Sequence, residues 1–223
     1  MAKKTAEKGL LKYASLNACS PSHIKTRPEP EFVAFLSTLN ERGKLLDVGC
    51  GIGFESDYAQ KLGFEVTGID KDYGCIKKAK ELNPNPDFRQ IDFFNYIKNV
   101  PKNEFNVIVD SKFSNKLSLG KLKRYYKNIS KALKYGGYMY LQVLSTEDGY
   151  CKTHCPKREW TKIGDEYIRY FSKAGLLNLL KLTGLKVESL RTIKQRTFYE
   201  LHNNETKEEK YHIVIARQII KKW

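Results

Sequence analysis

The chain has 223 residues, 41% of them apolar, and five cysteines without regular spacing, which suits one domain without a disulfide framework. No apolar run approaches the roughly 18 residues that a membrane span needs, and the first twenty residues lack the pattern of a secretory signal, so we expect a soluble, cytoplasmic protein. The formal net charge of +15 predicts anionic partners such as nucleic acid, unless the lysines only solvate the surface.

Strand-length apolar runs alternate with helical patterns from residue 29 onward, after a predicted N-terminal extension of residues 1–28. The first half reads as a helix in PEPEFVAFLSTLN, strand KLLDVG, helix Ser56–Leu62, strand FEVTGID, helix Gly74–Leu82, and strands DFRQID and FNVIVD. The second half reads as helix Leu119–Tyr135, strand YMYLQVL, a long loop from about Ser145 to Tyr167, helix Ala174–Leu182, and strands GLKVESLRTI and YHIVIARQII.

This alternation predicts a doubly wound α/β domain over residues 29–223, built around a mostly parallel seven-stranded sheet. The last two strands follow each other closely in sequence, which predicts that the final strand is antiparallel. Open sheets of this kind bind ligands beyond the carboxyl ends of their strands. Polar residues at those strand ends are therefore the first candidates for a functional site.

The segment LLDVGCGIGF is the most informative stretch, because a strand runs into three spaced glycines that open a helix. Such a loop lets the backbone approach a ligand closely and aims helix N–H groups at it. The dinucleotide fingerprint needs a further glycine or alanine where Phe54 stands. Asp47 would also repel a pyrophosphate, whereas it suits a cationic group. An NAD-dependent oxidoreductase is thus a disfavoured alternative.

LLDVGCGIG resembles the first motif of the class I S-adenosylmethionine-dependent methyltransferases. The resemblance implies the Rossmann-like methyltransferase fold and S-adenosyl-L-methionine as cofactor. In that family the glycine loop wraps the methionine part of the cofactor, and the acidic residue of the motif helps to place its amino group. By resemblance, these roles fall to Asp47 and to the loop residues Gly49, Cys50, Gly51 and Gly53.

Two further strand ends match the family pattern. FEVTGID ends in Asp70, whose carboxylate would accept hydrogen bonds from both ribose hydroxyls of the cofactor. Lys71 follows where the family often has an apolar residue against adenine, and its alkyl stem could cover the ring. After the third strand, the resemblance implies that Asp92 accepts from the adenine amino group and that Phe93 packs on the base. The alternative is that Phe93 is simply a core residue.

The acceptor is less well defined than the cofactor. FNVIVD ends in Asp110, which we take as a candidate for positioning the acceptor. The chain is similar in style to compact small-molecule methyltransferases of the thiopurine and tellurite-resistance type, which implies a small-molecule acceptor. An RNA methyltransferase remains an alternative, as does a catalytically silent subunit with the cofactor fold. The RNA alternative rests on a basic segment, which contains Lys112, Lys116, Lys121, Lys123, Arg124, Lys127, Lys131 and Lys134.

The segment Cys151-Lys-Thr-His154-Cys155 contains three soft ligands within five residues. Structural zinc sites usually have two such cysteine pairs, and only one candidate pair is present. We therefore expect no metal and a reduced loop near the acceptor.

Overall fold

A computed structural model describes residues 27–155, 160–163, 166–198 and 206–219 of the chain. The predicted extension of residues 1–28 lies almost entirely outside these ranges. The strands are β1 (Lys44–Val48), β2 (Glu65–Asp70), β3 (Asp87–Gln90), β4 (Phe105–Ser111), β5 (Leu133–Leu144), β6 (Trp160–Ile163), β7 (Glu166–Arg169), β8 (Leu185–Phe198) and β9 (Thr206–Gln218). The helices are α1 (Pro30–Ser37), α2 (Phe54–Lys61), α3 (Tyr73–Leu82), α4 (Phe93–Tyr96), α5 (Leu119–Ala132), α6 (Gly149–His154) and α7 (Lys173–Leu182).

Seven strands form one sheet in the order β3-β2-β1-β4-β5-β9-β8. The pairs among β1 to β5 are parallel, and β9 is antiparallel to both of its neighbours. The doubly wound α/β fold with an antiparallel final strand is therefore confirmed. Strand order reverses at β1, because β2 and β3 lie on one side of it and β4 and β5 on the other. Ligands of open α/β sheets bind at such a switch point.

Two apolar layers cover the sheet, and alternate residues of each buried strand point into opposite layers. Leu45 of β1 packs in a cluster with Phe32 of α1 and Ala59 of α2. Its neighbour Leu46 packs in a second cluster with residues of α5 and α7. The helices α1 and α2 thus lie on one face and α5 and α7 on the other. On the first face, α3 packs on the ring of Phe88.

The predicted loop from Ser145 to Tyr167 is wrong, because this segment contains α6 and the antiparallel pair β6–β7. Asp148 begins α6 by accepting the backbone N–H of Tyr150 at 2.8 Å. Its second carboxylate oxygen accepts the N–H of Lys210 at 3.0 Å and so ties the helix to β9. The pair β6–β7 forms a separate two-stranded sheet. The alternation of strand and helix patterns, which predicts the main sheet, carries no signal for this pair.

Two predicted boundaries also differ from the structure. The helix predicted to reach Tyr135 ends at Ala132, because β5 already begins at Leu133 and pairs there with Phe105 before an irregularity in the register. Strands β8 and β9 are longer than predicted and pair from Leu185 opposite Gln218 to Phe198 opposite Thr206. Their polar distal ends extend the ladder through backbone hydrogen bonds, without the apolar alternation that signals a strand.

Within the described residues, no helix is long and apolar enough to cross a membrane. The predicted cytoplasmic location stays a prediction.

Candidate functional site

The parallel register brings the carboxyl ends of the central strands to one edge of the sheet. Val48 at the end of β1 pairs with Ile69 of β2 and with Asp110 of β4. Asp70, the last residue of β2, pairs with Gln90 at the end of β3. The loops that follow these strands therefore lie side by side, as expected from the sequence.

The loop from β1 to α2 depends on backbone that side chains rarely adopt. Gly49, Gly51 and Gly53 have φ angles of 70°, 55° and 85°, all in the left-handed region. A Cβ atom on Gly49 would lie 3.0 Å from the ring of Phe113, and one on Gly53 would lie 2.8 Å from Cε1 of Phe88. The N–H of Gly53 donates to the carbonyl of Cys50 at 2.9 Å and closes the turn. Both geometry and space thus require glycine here.

Asp70 connects this loop to the end of β2. Its Oδ2 accepts the N–H of Gly51 at 3.1 Å, and its Oδ1 accepts the N–H of Asp72 at 2.9 Å. Each carboxylate oxygen can accept a further hydrogen bond. The carboxylate is therefore held in one orientation at this edge of the sheet, beside the glycine loop. Its predicted contact with ribose hydroxyls stays a prediction.

Asp47 is buried, with 2% of its surface exposed, and its Oδ2 accepts the hydroxyl of Ser56 at 2.7 Å. Because Ser56 lies in the first turns of α2, the pair joins β1 to the helix beneath the glycine loop. Asp47 thus holds the two ends of the glycine loop together through Ser56. Its predicted role toward an amino group stays a prediction, and Ser56 is a site residue that sequence reasoning missed.

The remaining predicted cofactor residues have different surroundings. Cys50 is a buried free thiol, and burial, reinforced by the charges of Asp47 and Asp70, raises its pKa well above the usual value. Lys71 is exposed directly after β2. Asp92 is exposed and caps α4 by accepting the N–H of Phe94 at 2.8 Å.

Phe93 is 2% exposed, and its ring packs edge-on against Tyr125, with 4.6 Å between the centroids. The structure thus places Phe93 in the core layer under α5, which was the alternative for this residue. Contacts of Asp92 and Phe93 with adenine stay predictions.

Asp110 is fully buried at the end of β4. Its Oδ1 accepts the N–H of Ser114 at 3.2 Å, whereas its Oδ2 has no hydrogen-bond partner within the described residues. Burial raises the pKa of this carboxyl group to about 6, although the nearby hydroxyls of Ser114 and Tyr125 act in the opposite direction. The side chain points toward α5 rather than out of the edge, so a role in positioning an acceptor stays a prediction.

A second group of charged residues lies beyond β4 and β5, and only its member Lys112 was named from the sequence, as part of the basic segment. Lys112 follows β4 with φ of 75°, a strained value for a residue with a side chain. Its ammonium lies 4.7 Å from the centroid of the Tyr211 ring and 3.7 Å from Oε1 of Glu29. The backbone N–H of Glu29 in turn donates to Oε1 of Glu55 at 3.2 Å. These residues border the glycine loop on the β5 side.

Among the described residues, no group of three His, Cys, Asp or Glu side chains is suited to hold a metal ion. Cys151 and Cys155 are buried free thiols, and the side chain of His154 lies outside the described parts. His212 of β9 is buried between the carbonyl of Phe171 and the hydroxyl of Thr192, at 2.9 and 3.0 Å. Both of its ring nitrogens are thus engaged in hydrogen bonds, one to β8 and one to the segment before α7.

The profile of one protein family, described as a methyltransferase domain, matches residues 22–190. The chain is a member of this methyltransferase family. "Putative methyltransferase 235L" of Invertebrate iridescent virus 6 is 35% identical over 99 residues. That match covers 44% of this chain and only 36% of the viral protein.

Solved methyltransferase structures have the same fold at low sequence identity. The tellurite-resistance protein TehB of Haemophilus influenzae superimposes with a TM-score of 0.66 at 19% identity, over 87% of this chain and 63% of that one. The 1,6-didemethyltoxoflavin-N1-methyltransferase of Burkholderia thailandensis, with bound 1,6-didemethyltoxoflavin and S-adenosylhomocysteine, superimposes with a TM-score of 0.62 at 16% identity, over 95% and 82% of the chains. The resemblance to the class I S-adenosylmethionine-dependent methyltransferases is confirmed by the family match, and these structures share the fold.

We expect Gly53→Ala to destabilise this methyltransferase by about 2–5 kcal/mol. About 1–2 kcal/mol arises from the left-handed backbone, and the rest from pushing the new methyl group against Phe88. Chemical denaturation followed by circular dichroism measures the free energy of unfolding. Gly120→Ala is the matched control, because its Cβ would have no atom within 4 Å and it lies in α5, where alanine should stabilise by about 0.5–1 kcal/mol. Equal stability of the two variants would contradict the packing argument.

We expect Asp110→Asn to stabilise the methyltransferase at about pH 8 by up to about 3 kcal/mol, and to have no such effect below about pH 4. The folded protein binds the Asp110 proton more tightly than the unfolded chain does, so wild-type stability decreases as the pH rises from 3.8 to about 6. Asparagine does not titrate, so the variant does not lose stability as the pH rises. Unfolding free energies at several pH values measure it.

Asp87→Asn is the control, because this exposed residue forms a surface ion pair with Arg89 and should change stability by less than about 1 kcal/mol. An Asp110→Asn effect that is the same at both pH values would refute the proposed titration.

Proposed function

We propose that the protein transfers a methyl group from S-adenosyl-L-methionine to a small-molecule acceptor. The observation that carries this proposal is the Asp70 carboxylate, fixed beside three left-handed glycines at the switch point of the sheet. These groups fit the cofactor. The glycines have no side chains, so the cofactor can approach the backbone closely, and the carboxylate at the end of β2 can accept further hydrogen bonds. The methyltransferase family match and a neighbour with bound S-adenosylhomocysteine support the same choice.

The residues that would hold the cofactor are those at the ends of β1, β2 and β3. Gly49, Gly51 and Gly53 would line its methionine part, and Asp70 would accept from its ribose. Asp47 orders the loop through Ser56, and its negative charge under the loop favours a cationic group above it. The exposed stem of Lys71 and the capping carboxylate of Asp92 would border the base.

The bound cofactor supplies an activated methyl group on a sulfonium. The task of the chain is then to hold a nucleophile about 3 Å from that methyl group and in line with the bond to be broken, an effect that contributes roughly 7–11 kcal/mol. A general base is needed only for a nucleophile that carries a proton at neutral pH. The buried Asp110 has a raised pKa but no exposed surface, so any role would be indirect.

The acceptor would bind beyond β4, β5 and β9, beside Lys112 and Tyr211. Lys112 is the partly exposed member of this group, and its ammonium is positioned by the buried ring of Tyr211 and the buried carboxylate of Glu29. A single positioned charge suits a small polar molecule better than a polymer. The structural neighbour whose name includes a toxoflavin precursor supports a small acceptor. The oxidoreductase and the silent subunit are less well supported, because Phe54 interrupts the dinucleotide pattern while the glycine loop and Asp70 are intact.

S-adenosylhomocysteine should bind the wild-type chain at micromolar concentration, and NAD should not. Isothermal titration with each ligand tests the glycine-loop assignment. Tight NAD binding without a response to S-adenosylhomocysteine would overturn the proposed function.

Asp70→Asn should weaken S-adenosylhomocysteine binding by about 1.5–3 kcal/mol, or roughly 10- to 150-fold, because hydrogen bonds to the charged carboxylate are lost. The asparagine keeps the shape of the side chain and one accepting oxygen for the loop. Isothermal titration measures the affinity, and a melting curve checks that the fold persists.

Asp87→Asn changes the same chemical group at the other end of the neighbouring strand β3 and should leave the affinity unchanged. If Asp70→Asn binds as tightly as the wild type, Asp70 does not contact the ribose.

A further inference from the structure

The most unevenly charged part of the chain lies between Asp110 and Glu147. This segment has no acidic residue and eight basic ones, so it contributes more than half of the net charge of +15. Most of these cations are on α5, which carries none of the carboxylates found on α2 and α3. The helix therefore presents an uncompensated positive surface.

The cations of α5 form a stripe opposite its buried face. Leu122, Tyr125 and Ile129 are buried against the sheet. The positions on the far side are exposed along the helix and include Lys123, Arg124, Lys127 and Lys131. With a rise of 1.5 Å per residue, the i, i+4 lysines follow one another at about 6 Å along one line. We call Lys123, Arg124, Lys127 and Lys131 the α5 stripe.

The α5 stripe is not neutralised within the described parts of the chain. None of its four residues forms an ion pair there, and Arg124 instead lies 4.9 Å over the ring of Phe94. Lys123 with Lys127, and Lys127 with Lys131, are like-charge pairs at i, i+4, which destabilise a helix. By contrast, acids elsewhere pair locally, as Asp57 does with Lys61 on α2. Repulsion of this kind is relieved when an external anion binds.

We propose that the α5 stripe is a docking surface for the phosphate backbone of single-stranded nucleic acid. A line of lysine point charges follows a polyanion without reading its sequence, and Arg124 with Phe94 offers a planar surface on which a base can stack. A membrane surface fits less well, because the exposed leucines of this face do not accompany the stripe. Leu119 begins α5, and Leu177 and Leu182 lie on α7.

The stripe does not lead a nucleotide into the proposed methyl-transfer site. Helix α5 returns from the carboxyl end of β4 to the amino end of β5, so Lys127 and Lys131 lie progressively farther from the edge that carries Asp70. Lys123 and Arg124 lie nearer that edge, and Arg124 contacts Phe94 of α4 there. The docked nucleic acid is thus a partner that localises the protein, and the acceptor site beside Lys112 stays accessible.

The test uses the full chain and a fluorescent single-stranded RNA of about 20 nucleotides with mixed sequence, measured by anisotropy between about 0.05 and 0.3 M KCl. The wild type should bind with a steep salt dependence. The variant K123Q/K127Q/K131Q should bind on the order of 100-fold more weakly at 0.1 M salt, with a log–log slope shallower by about 2, because three contacts are lost at about 0.7 each.

The matched control is K77Q/K78Q/K80Q, which removes the same charge from α3 on the opposite face of the sheet. It should change the affinity less than threefold by the same measurement, on the order of a non-specific charge effect. Binding of S-adenosylhomocysteine should be the same in all three proteins, which separates this test from that of the proposed function. The docking surface is refuted if both variants weaken RNA binding equally, or if the wild type binds phosphatidylserine vesicles or an acidic polypeptide but not RNA.

Discussion

The left-handed backbone of the glycine loop is the constraint on which the rest of this edge depends. β1 lies between β2 and β4, so the chain must leave the centre of the sheet and begin α2 within five residues. Three glycines with positive φ make this turn possible, and the N–H groups of all three are hydrogen-bonded within the protein. The Asp70 carboxylate accepts one of them, from Gly51, so the loop and the end of β2 hold each other in place. The loop is therefore ordered without a ligand, and a ligand that binds there needs no rearrangement of the core.

The sequence predicted the elements whose signal is local. The motif LLDVGCGIG and the apolar runs of β1, β2, β4 and β5 indicated a parallel sheet, and the structure confirms it. The failures have a common physical origin, because each depends on a distant partner. Leu133 is a strand residue only because Phe105 pairs with it, although its composition continues the helix. The hairpin β6–β7 is stabilised by its own pairing, and Asp148 orders α6 through a bond to the backbone of Lys210, 62 residues away.

The candidate site, too, was predictable from the sequence only in part. Asp47, Asp70 and Asp110 were found from the sequence because each ends or closely precedes the end of a strand. Their surroundings were not predictable: Asp70 is held by two backbone donors, whereas Asp110 is buried with one oxygen unpartnered in the described structure. The group beside Lys112 was missed, because Glu29 and Glu55 are 26 residues apart and Tyr211 comes from the final strand. A lysine with positive φ after a central strand has no sequence signature.

The net charge of +15 therefore says little about the potential at the glycine loop. Carboxylates of Asp47, Asp70, Glu29 and Glu55 lie around that edge, while the uncompensated cations lie along α5 on one face of the sheet. Charges separated by more than about 8–10 Å are largely screened at physiological salt, so the cations in the second half of α5 have little effect on that edge. A cationic cofactor is attracted to the acidic edge, and a polyanion to the face. This separation lets a strongly basic chain hold a sulfonium, because most of the α5 cations lie too far from the acidic edge to repel it.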